Sequence, residues 1–438
     1  MLSRIIWDCP STSNCLHFGC DGSVIAATKE TIMSYRPHLK HGIGCETHWI
    51  TITRKTSEIK DGAQVSPADW FHSFRGSNSE YKILSFLNVH SCKNVLANDG
   101  SPLLCTLLSN GTVLLFQRDI SSNECYDQDL LQIKLCGFSL LFDFMSIYSA
   151  WCAKQEIAST ITSFSLCTRG KDSVSLAIGG RSQLSVWSIA LKDGHIVCQL
   201  WASVDINTIH AEGEISSLFA SNIDASSVNV LVGMTSGMVH CMRVATIDNN
   251  GCITLVSSHS YGPTVISNFI PSKHGDVIVV SGNKIHVHDQ SRKFGCPVSG
   301  VVPLPRLSVT KGDDQMLCCT IDGKYCTWSA DNLAHNTGES SRDVRMACGL
   351  PSNDVLNVHA TKSVLVDKSG LFGLVSDPLE LLIVSAVKIN PVHDNSRETQ
   401  LTKGTTRSHL EIRWVSSPVL PTDTCKPPLE WNSCCLMC

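Results

Sequence analysis

The sequence predicts an all-β fold: a WD40-like β-propeller of seven blades with irregular insertions. The main observation is an antiparallel hairpin that recurs seven times, in which an apolar strand leads through a tight glycine turn into a second, alternating strand. Two-residue loops need positive φ, which glycine adopts readily and asparagine or aspartate tolerates. Aligned on Gly237, Gly282, Gly323 and Gly370, the last copies lie 45, 41 and 47 residues apart, close to the roughly 40–45 residues of one WD40 blade.

Each predicted hairpin turns at a glycine. The hairpins are Leu16–Tyr35 (turn at Asp21-Gly22), Pro102–Gln117 (Asn110-Gly111), Ser173–Ile189 (Gly179-Gly180), Val228–Val244 (Ser236-Gly237), Asp276–Asp289 (Ser281-Gly282-Asn283), Met316–Ser329 (Asp322-Gly323) and Val364–Val375 (Ser369-Gly370). Three copies are preceded by a strand of alternating small polar and large apolar residues: Ile161–Phe164, Ile215–Leu218 and Val265–Ser267. Such alternation suits the crowded inner strands of a blade.

Two tryptophans, Trp187 and Trp328, fall in the second strands of their hairpins, near the WD signature position. The aspartate of that signature is replaced by Ser188 and Ser329, so the repeats are degenerate. We expect both tryptophans to be packing residues.

Composition and charge restrict the function classes. With 43% hydrophobic and 17% charged residues, the chain has ample apolar surface for a large core. Its 35 basic and 39 acidic residues give a net charge of -4, which disfavours direct binding to DNA. The 22 cysteines are scattered rather than set at framework spacings, and we infer a reducing cytosol or nucleus.

The predicted organisation is a propeller over residues 1–395, with a long surface insertion at about 51–75, followed by a C-terminal strand and tail over 396–438. We interpret the last residues as a truncated or alternatively spliced end. The apolar stretch from Cys136 to Ala153 is predicted to form strands of the blade that ends near Ile189. Its central Asp143 disfavours a membrane span.

No residue is assigned as catalytic, cofactor-binding or metal-binding. The sequence lacks the Gly-x-Ser-x-Gly, Gly-x-x-x-x-Gly-Lys-Ser/Thr and Gly-x-Gly-x-x-Gly motifs. His286 and His288 share one face of a predicted strand and could offer two imidazoles to a metal, but no third ligand is visible. The terminal Cys435–Cys438 pair, near Cys425 and Cys434, lacks the second Cys-x-x-Cys of a zinc ribbon. We therefore predict no cofactor.

Several segments of the sequence resemble the delta-type propeller subunit of transcription factor IIIC (the general transcription factor 3C polypeptide 4 family, N-terminal region). Leu16–Thr28, continuing to Ser34–Pro37, looks like the start of that subunit. Ser91–Phe116 and Ile161–Trp187 are similar to its next blades, and the resemblance covers roughly Cys15 to Asp289.

The resemblance implies a nuclear, non-catalytic scaffold subunit that supports promoter recognition and RNA polymerase III recruitment through protein–protein contacts. Its implied partners are the other subunits of transcription factor IIIC and the polymerase III machinery, with DNA reached indirectly and no membrane involved. Two alternatives stay open. One is a generic WD-repeat adaptor of another assembly, and the other is the histone acetyltransferase activity described for a member of the family. The chain lacks the Gln/Arg-x-x-Gly-x-Gly/Ala acetyl-CoA loop.

Overall fold

A computed structural model gives the fold of this chain. It describes residues 2–6, 16–28, 30–35, 48–54, 86–96, 101–128, 131–193, 195–209, 213–224, 226–247, 250–271, 277–287, 290–303, 315–320, 325–329, 366–376, 382–391 and 407–414.

The described residues form mainly β-strands. The first eleven are β1 (Leu2–Ile6), β2 (Leu16–Phe18), β3 (Val24–Ala27), β4 (Thr31–Tyr35), β5 (His48–Arg54), β6 (Phe86–Lys93), β7 (Pro102–Leu108), β8 (Val113–Arg118), β9 (Cys125–Gln128), β10 (Leu131–Cys136) and β11 (Phe138–Asp143). One α-helix, α1 (Met145–Gln155), follows.

The central strands come next. They are β12 (Ser163–Arg169), β13 (Ser173–Gly180), β14 (Gln183–Lys192), β15 (His195–Asp205), β16 (Ile215–Asp224), β17 (Ser227–Met234), β18 (Met238–Ile247), β19 (Asn250–Ser260), β20 (Ile266–Pro271), β21 (Val277–Ser281), β22 (Lys284–Val287) and β23 (Gln290–Lys293), with a short 3-10 helix at Ile206–Thr208. The last strands are β24 (Val298–Pro303), β25 (Gln315–Thr320), β26 (Tyr325–Ser329), β27 (Val366–Ser376), β28 (Leu382–Pro391) and β29 (Arg407–Trp414).

These strands make seven antiparallel sheets, numbered here as blades 1 to 7 along the chain. From the inner to the outer strand, blade 1 is β2-β3-β4-β5 and is extended outward by β10 and β9; blade 2 is β6-β7-β8-β11. Blades 3, 4 and 5 are β12 to β15, β16 to β19 and β20 to β23. Blade 6 is β24-β25-β26 in the described residues, and blade 7 is β27-β28-β29-β1.

The blades are arranged in a ring. Inner strand β2 contacts β6, β6 contacts β12, β12 contacts β16 and β16 contacts β20, while β27 contacts both β24 and β2. Blades 5 and 6 share a buried apolar cluster that includes Ile278, Val280, Val298 and Met316. The predicted all-β, seven-bladed propeller is therefore confirmed.

The ring closes through the first strand of the chain. β1 pairs antiparallel with β29, with Leu2 opposite Ile412 and Ile6 opposite Ser408. The outermost strand of blade 7 thus comes from the N-terminus and its other three strands come from the C-terminal part. This pairing ties the two ends of the ring together by backbone hydrogen bonds.

Four of the predicted glycine turns are confirmed by positive φ. The angles are +75° at Gly22, +87° at Gly111, +85° at Gly237 and +58° at Gly282. The strands on either side of the Asp322-Gly323 turn are present, and the turn itself lies outside the described residues.

Two predicted turns are wrong. Gly179 and Gly180 belong to β13, and the turn follows at Arg181, whose φ is +50°. Ser369 and Gly370 lie inside β27, where the register against β28 shifts between Lys368 and Leu371. A glycine within a strand often marks a bulge or a close approach of neighbouring backbone rather than a turn.

Close approach between blades explains Gly179. A Cβ there would lie 2.6 Å from Ile215 Cγ2 and 2.9 Å from Ser163 Oγ. The Thr162 hydroxyl lies within hydrogen-bond distance of the carbonyl oxygens of both Gly179 (3.0 Å) and Ile215 (2.8 Å), and its one hydrogen bridges blade 3 and blade 4.

A close glycine contact bridged by a hydroxyl also occurs between blades 4 and 5. A Cβ at Gly233 would lie 2.7 Å from Ile266 Cγ2. The Ser216 hydroxyl reaches the carbonyl oxygens of Gly233 (3.0 Å) and Ile266 (2.7 Å). The small polar residues predicted for the inner strands thus serve as hydrogen-bond donors between blades.

The helix α1 was not predicted, because its stretch was interpreted as strand. Phe138–Asp143 does form a strand, β11, but it is the outer strand of blade 2 and not part of the blade that ends near Ile189. Met145–Gln155 is helical and lies between blades 2 and 3. Asp143 Oδ1 accepts from the Met145 amide (3.0 Å) at its start, and Glu156 ends it with a φ of +55°. The helical signal in the sequence was the spacing of Tyr148 and Cys152, which are both buried.

The domain boundaries stay predictions. Of the insertion expected over residues 51–75, Thr51–Arg54 complete β5 and residues 55–75 lie outside the described part of the chain. The strand expected within residues 396–438 is β29, which pairs with β28 and β1.

Candidate functional site

The candidate site is the outer edge of blade 4, formed by β19. This strand is 11 residues long and contains no aspartate, glutamate, lysine or arginine. Its inner side pairs with β18, and no strand in the described part of the chain pairs with its outer side. Unpaired edges normally carry charge or proline to prevent pairing with other chains. β19 has neither.

The outer strands of blades 2, 5 and 7 are shorter and charged. β23 has four residues, including Arg292 and Lys293. β1 has five residues with Arg4, and β11 has six with Asp143. β15, the outer strand of blade 3, is also 11 residues long, but it ends in the charged Asp205. Among the described outer strands, β19 therefore combines this length with a lack of charge.

A bulge in β19 exposes two neighbouring aliphatic side chains. The register against β18 is regular from Asn250 to Leu255 and shifts between Cys241 and Met242, which leaves Val256 as the extra residue. Leu255 is 41% exposed and Val256 is 59% exposed. Bulges commonly redirect side chains in this way.

The outer strand of blade 3, β15, lies against β19 without pairing to it. The Trp201 carbonyl occupies the space where Gly251 would carry a Cβ, and Trp201 Nε1 donates to Thr246 Oγ1 at 3.1 Å. The Arg169 guanidinium carbon lies 4.2 Å from the Trp201 ring centroid, a cation–π geometry. The contacts of Trp201 with Gly251 and Thr246 hold blades 3 and 4 against each other beside the open edge, and Arg169 supports the Trp201 ring from within blade 3.

Further exposed aliphatic residues lie at the ends of these two blades. Leu191, Ile223 and Ile247 are 45%, 44% and 53% exposed. Each comes just before or just after the turn at the same end of its sheet, because β14, β16 and β18 all run toward that end. Blades 3 and 4 thus present apolar surface along one rim.

A second notable feature is a histidine pair on the inner strands of blades 1 and 2. The rings of His17 and His90 lie edge to face with centroids 5.3 Å apart, and His90 also contacts the Phe164 ring at 6.5 Å. His17 Nε2 and His90 Nδ1 are buried and have no hydrogen-bond partner among the described residues. Burial lowers the pKa of His17 to about 3, with repulsion from His90 as a second cause, and lowers the pKa of His90 to about 4.

This pair should make the protein less stable in mild acid. An unfolded histidine has a pKa near 6.5, so the unfolded state binds protons below that pH while the folded pair does not. Stability is therefore lost as pH falls from about 6.5 toward 4. We expect the free energy of unfolding to decrease by about 2 to 4 kcal/mol between pH 7 and pH 5. Urea unfolding at both pH values should show this loss, and a His17→Phe, His90→Phe variant should show less of it.

The exposed His259 provides the control for that prediction. A His259→Asn variant should keep the pH dependence of the natural chain. An unchanged pH dependence in the double variant would contradict the assignment to His17 and His90.

Of the residues considered as metal ligands from the sequence, only His286 lies in the described part of the chain. His286 is buried, its Nε2 lies 3.2 Å from Ser281 Oγ, and its ring lies 4.7 Å from that of Tyr261. His288 and the four cysteines from Cys425 to Cys438 lie outside the described residues. Within the described ranges, no group of three or more His, Cys, Asp or Glu residues could hold a metal ion.

Trp187 is a packing residue, as predicted. It is 2% exposed, its Nε1 donates to Ser185 Oγ at 3.0 Å, and its ring lies edge to face with those of Phe144 and Trp151. The side chain of Trp328 lies outside the described atoms, so its packing role stays a prediction. No helix in the described ranges is both long and apolar enough to cross a membrane.

Comparison with known proteins identifies no family. No family model matches the sequence, and no curated protein matches it. Among solved structures, BBS1N in complex with ARL6DN is similar at 8% identity and a TM-score of 0.48, covering 95% of this chain and 96% of that chain. Chaetomium thermophilum Sqt1 bound to the N-terminus of the ribosomal protein L10 is similar at 12% identity and a TM-score of 0.46, covering 91% and 83%. Similarities of this size say nothing about function, and the propeller assignment rests on the ring of blades itself.

Proposed function

We propose that this chain is a non-catalytic scaffold that binds other proteins through the outer surface of its propeller, at the edge of a blade. The observation that carries the proposal is the charge-free outer edge of β19 with the exposed Leu255 and Val256. Propellers are rigid frames whose loops and edges present binding surfaces. Contiguous exposed apolar surface on such a frame is typical of a protein-interaction site.

The finer proposal is that the scaffold belongs to the transcription factor IIIC complex in the nucleus. Its support is the resemblance of Leu16–Pro37, Ser91–Phe116 and Ile161–Trp187 to the delta-type subunit. A net charge of -4 fits a subunit that reaches DNA through its partners.

Affinity purification of the tagged chain from nuclear extract, followed by mass spectrometry, tests this assignment. We expect the other subunits of transcription factor IIIC to be enriched in stoichiometric amounts over a tagged, unrelated propeller. A reproducible but different set of partners would keep the scaffold and discard the polymerase III role. Exclusive recovery with cytosolic vesicles would favour a generic adaptor.

A further inference from the structure

We propose that the outer edge of β19 binds an extended segment of a partner protein, which adds to blade 4 as an antiparallel fifth strand. This inference rests on the proposed scaffold function and names how the partner binds. The segment we infer has alternating aliphatic residues and an acidic residue near Thr254.

The molecule already uses this mode of binding at blade 1. β10 comes from the connection between β8 and β11 of blade 2, yet it pairs antiparallel with β5, the fourth strand of blade 1, over six residues from Leu131 to Cys136. Ile133 and Leu135, which alternate along β10, are fully buried. An alternating aliphatic strand therefore fits the outer edge of a blade in this propeller.

The edge of β19 offers a stretch of matching length. Its ladder with β18 is regular over the six residues Asn250–Leu255. The bulge at Val256 then places two exposed aliphatic side chains at the end of this stretch. A partner strand with an aliphatic residue at that point would cover both, and its main chain would pair with the open backbone groups.

The charges near the edge indicate the acidic residue. Arg243 is exposed, is the one charged residue of β18, and lies opposite Thr254. A fifth strand would lie about 10 Å from β18, since strands are spaced by roughly 4.8 Å. An arginine and a glutamate side chain together span that distance. β19 itself has no charge that would need a partner.

Backbone hydrogen exchange on the full chain, alone and in its purified assembly, tests the proposal. We expect the amides of residues 250–260 to exchange at least tenfold more slowly in the assembly. A photoreactive residue in place of Val256 should cross-link to an extended partner segment with alternating aliphatic residues. Unchanged exchange over 250–260 in the assembly would overturn the proposal. The proposal would also be overturned if the chain purifies with no bound partner. It would be overturned as well if the photoreactive residue cross-links to a second copy or to residues of its own chain.

Charged edge variants give the matched comparison. Leu255→Lys with Val256→Lys should reduce partner recovery at least tenfold, because charge on an edge opposes strand addition. The control is Ile120→Lys, since Ile120 is 70% exposed and follows β8 in blade 2. Equal losses in both variants would count against the edge.

The outcomes separate this inference from the assignment to transcription factor IIIC. Protection of β19 by a protein outside that complex would refute the assignment and support the edge. Recovery of the complex with unchanged exchange in β19 would support the assignment and refute the edge as the binding site.

Discussion

Replacing Gly237 with alanine is expected to destabilise the protein by about 4 kcal/mol or more, at the severe end for a single substitution. Gly237 has a φ of +85°, which alone costs alanine roughly 1–2 kcal/mol. The added Cβ would also collide with the carbonyl oxygen of Gly262. Backbone cannot rotate away as a side chain can, so the segment before β20 would have to move.

Two hydrogen bonds oppose that movement. The Gly237 amide donates to the Met234 carbonyl at 3.1 Å, and the Tyr261 amide donates to the Gly237 carbonyl at 3.0 Å. The turn and the segment that follows β19 are thereby held together. Relief of the collision would break this contact between the turn and the next connection.

Gly111 provides the control. Its φ is +87°, but the nearest atom to a Cβ there is the Ile161 amide nitrogen at 3.6 Å, an ordinary contact. Gly111→Ala should therefore lower the free energy of unfolding only by the cost of placing alanine at a positive φ, about 1–2 kcal/mol. Chemical unfolding of both variants measures the difference. Equal losses would mean that conformation, and not the collision, determines the cost at Gly237.

Asp21→Ala is expected to cost about 3–5 kcal/mol, because it would leave a buried arginine without its counter-charge. Asp21 Oδ2 accepts from Arg118 Nη1, and the two side chains are 10% and 9% exposed. Asp21 Oδ1 accepts from the amide and hydroxyl of Ser23, at 3.1 and 2.5 Å. One carboxylate thus shapes the β2–β3 turn of blade 1 and joins it to β8 of blade 2.

A double variant separates the ion pair from the turn. Adding Arg118→Met to Asp21→Ala removes the unpaired charge, so part of the lost stability should return. Failure of Arg118→Met to recover any stability would show that the turn carries the whole effect.

Asp224 is the matched control for Asp21. Its Oδ1 also accepts from a serine amide and hydroxyl two residues on, both at 2.7 Å, but it is exposed. Asp224→Ala should therefore cost much less than Asp21→Ala in the same unfolding measurement.

The lack of charge in β19 is visible in the sequence, although the predicted hairpin of blade 4 ended before it, at Val244. No aspartate, glutamate, lysine or arginine occurs from Asn250 to Ser272. This run signals an unusual surface, but it does not show that β19 is an outer strand. That fact depends on the strand order of blade 4.

The repeated strand pairs and most of their turns follow from local sequence preferences, because Asp21-Gly22, Asn110-Gly111 and Ser236-Gly237 favour positive φ. The sequence also indicated the polar inner strands. Local preference could not assign Gly179, where a neighbouring blade, and not a turn, excludes a Cβ. Nor could it pair β1 with β29 or β10 with β5, since those strands are far apart in the chain. Such pairings depend on which strand edges remain open after the ring has formed, which is a property of the folded chain and not of any local segment.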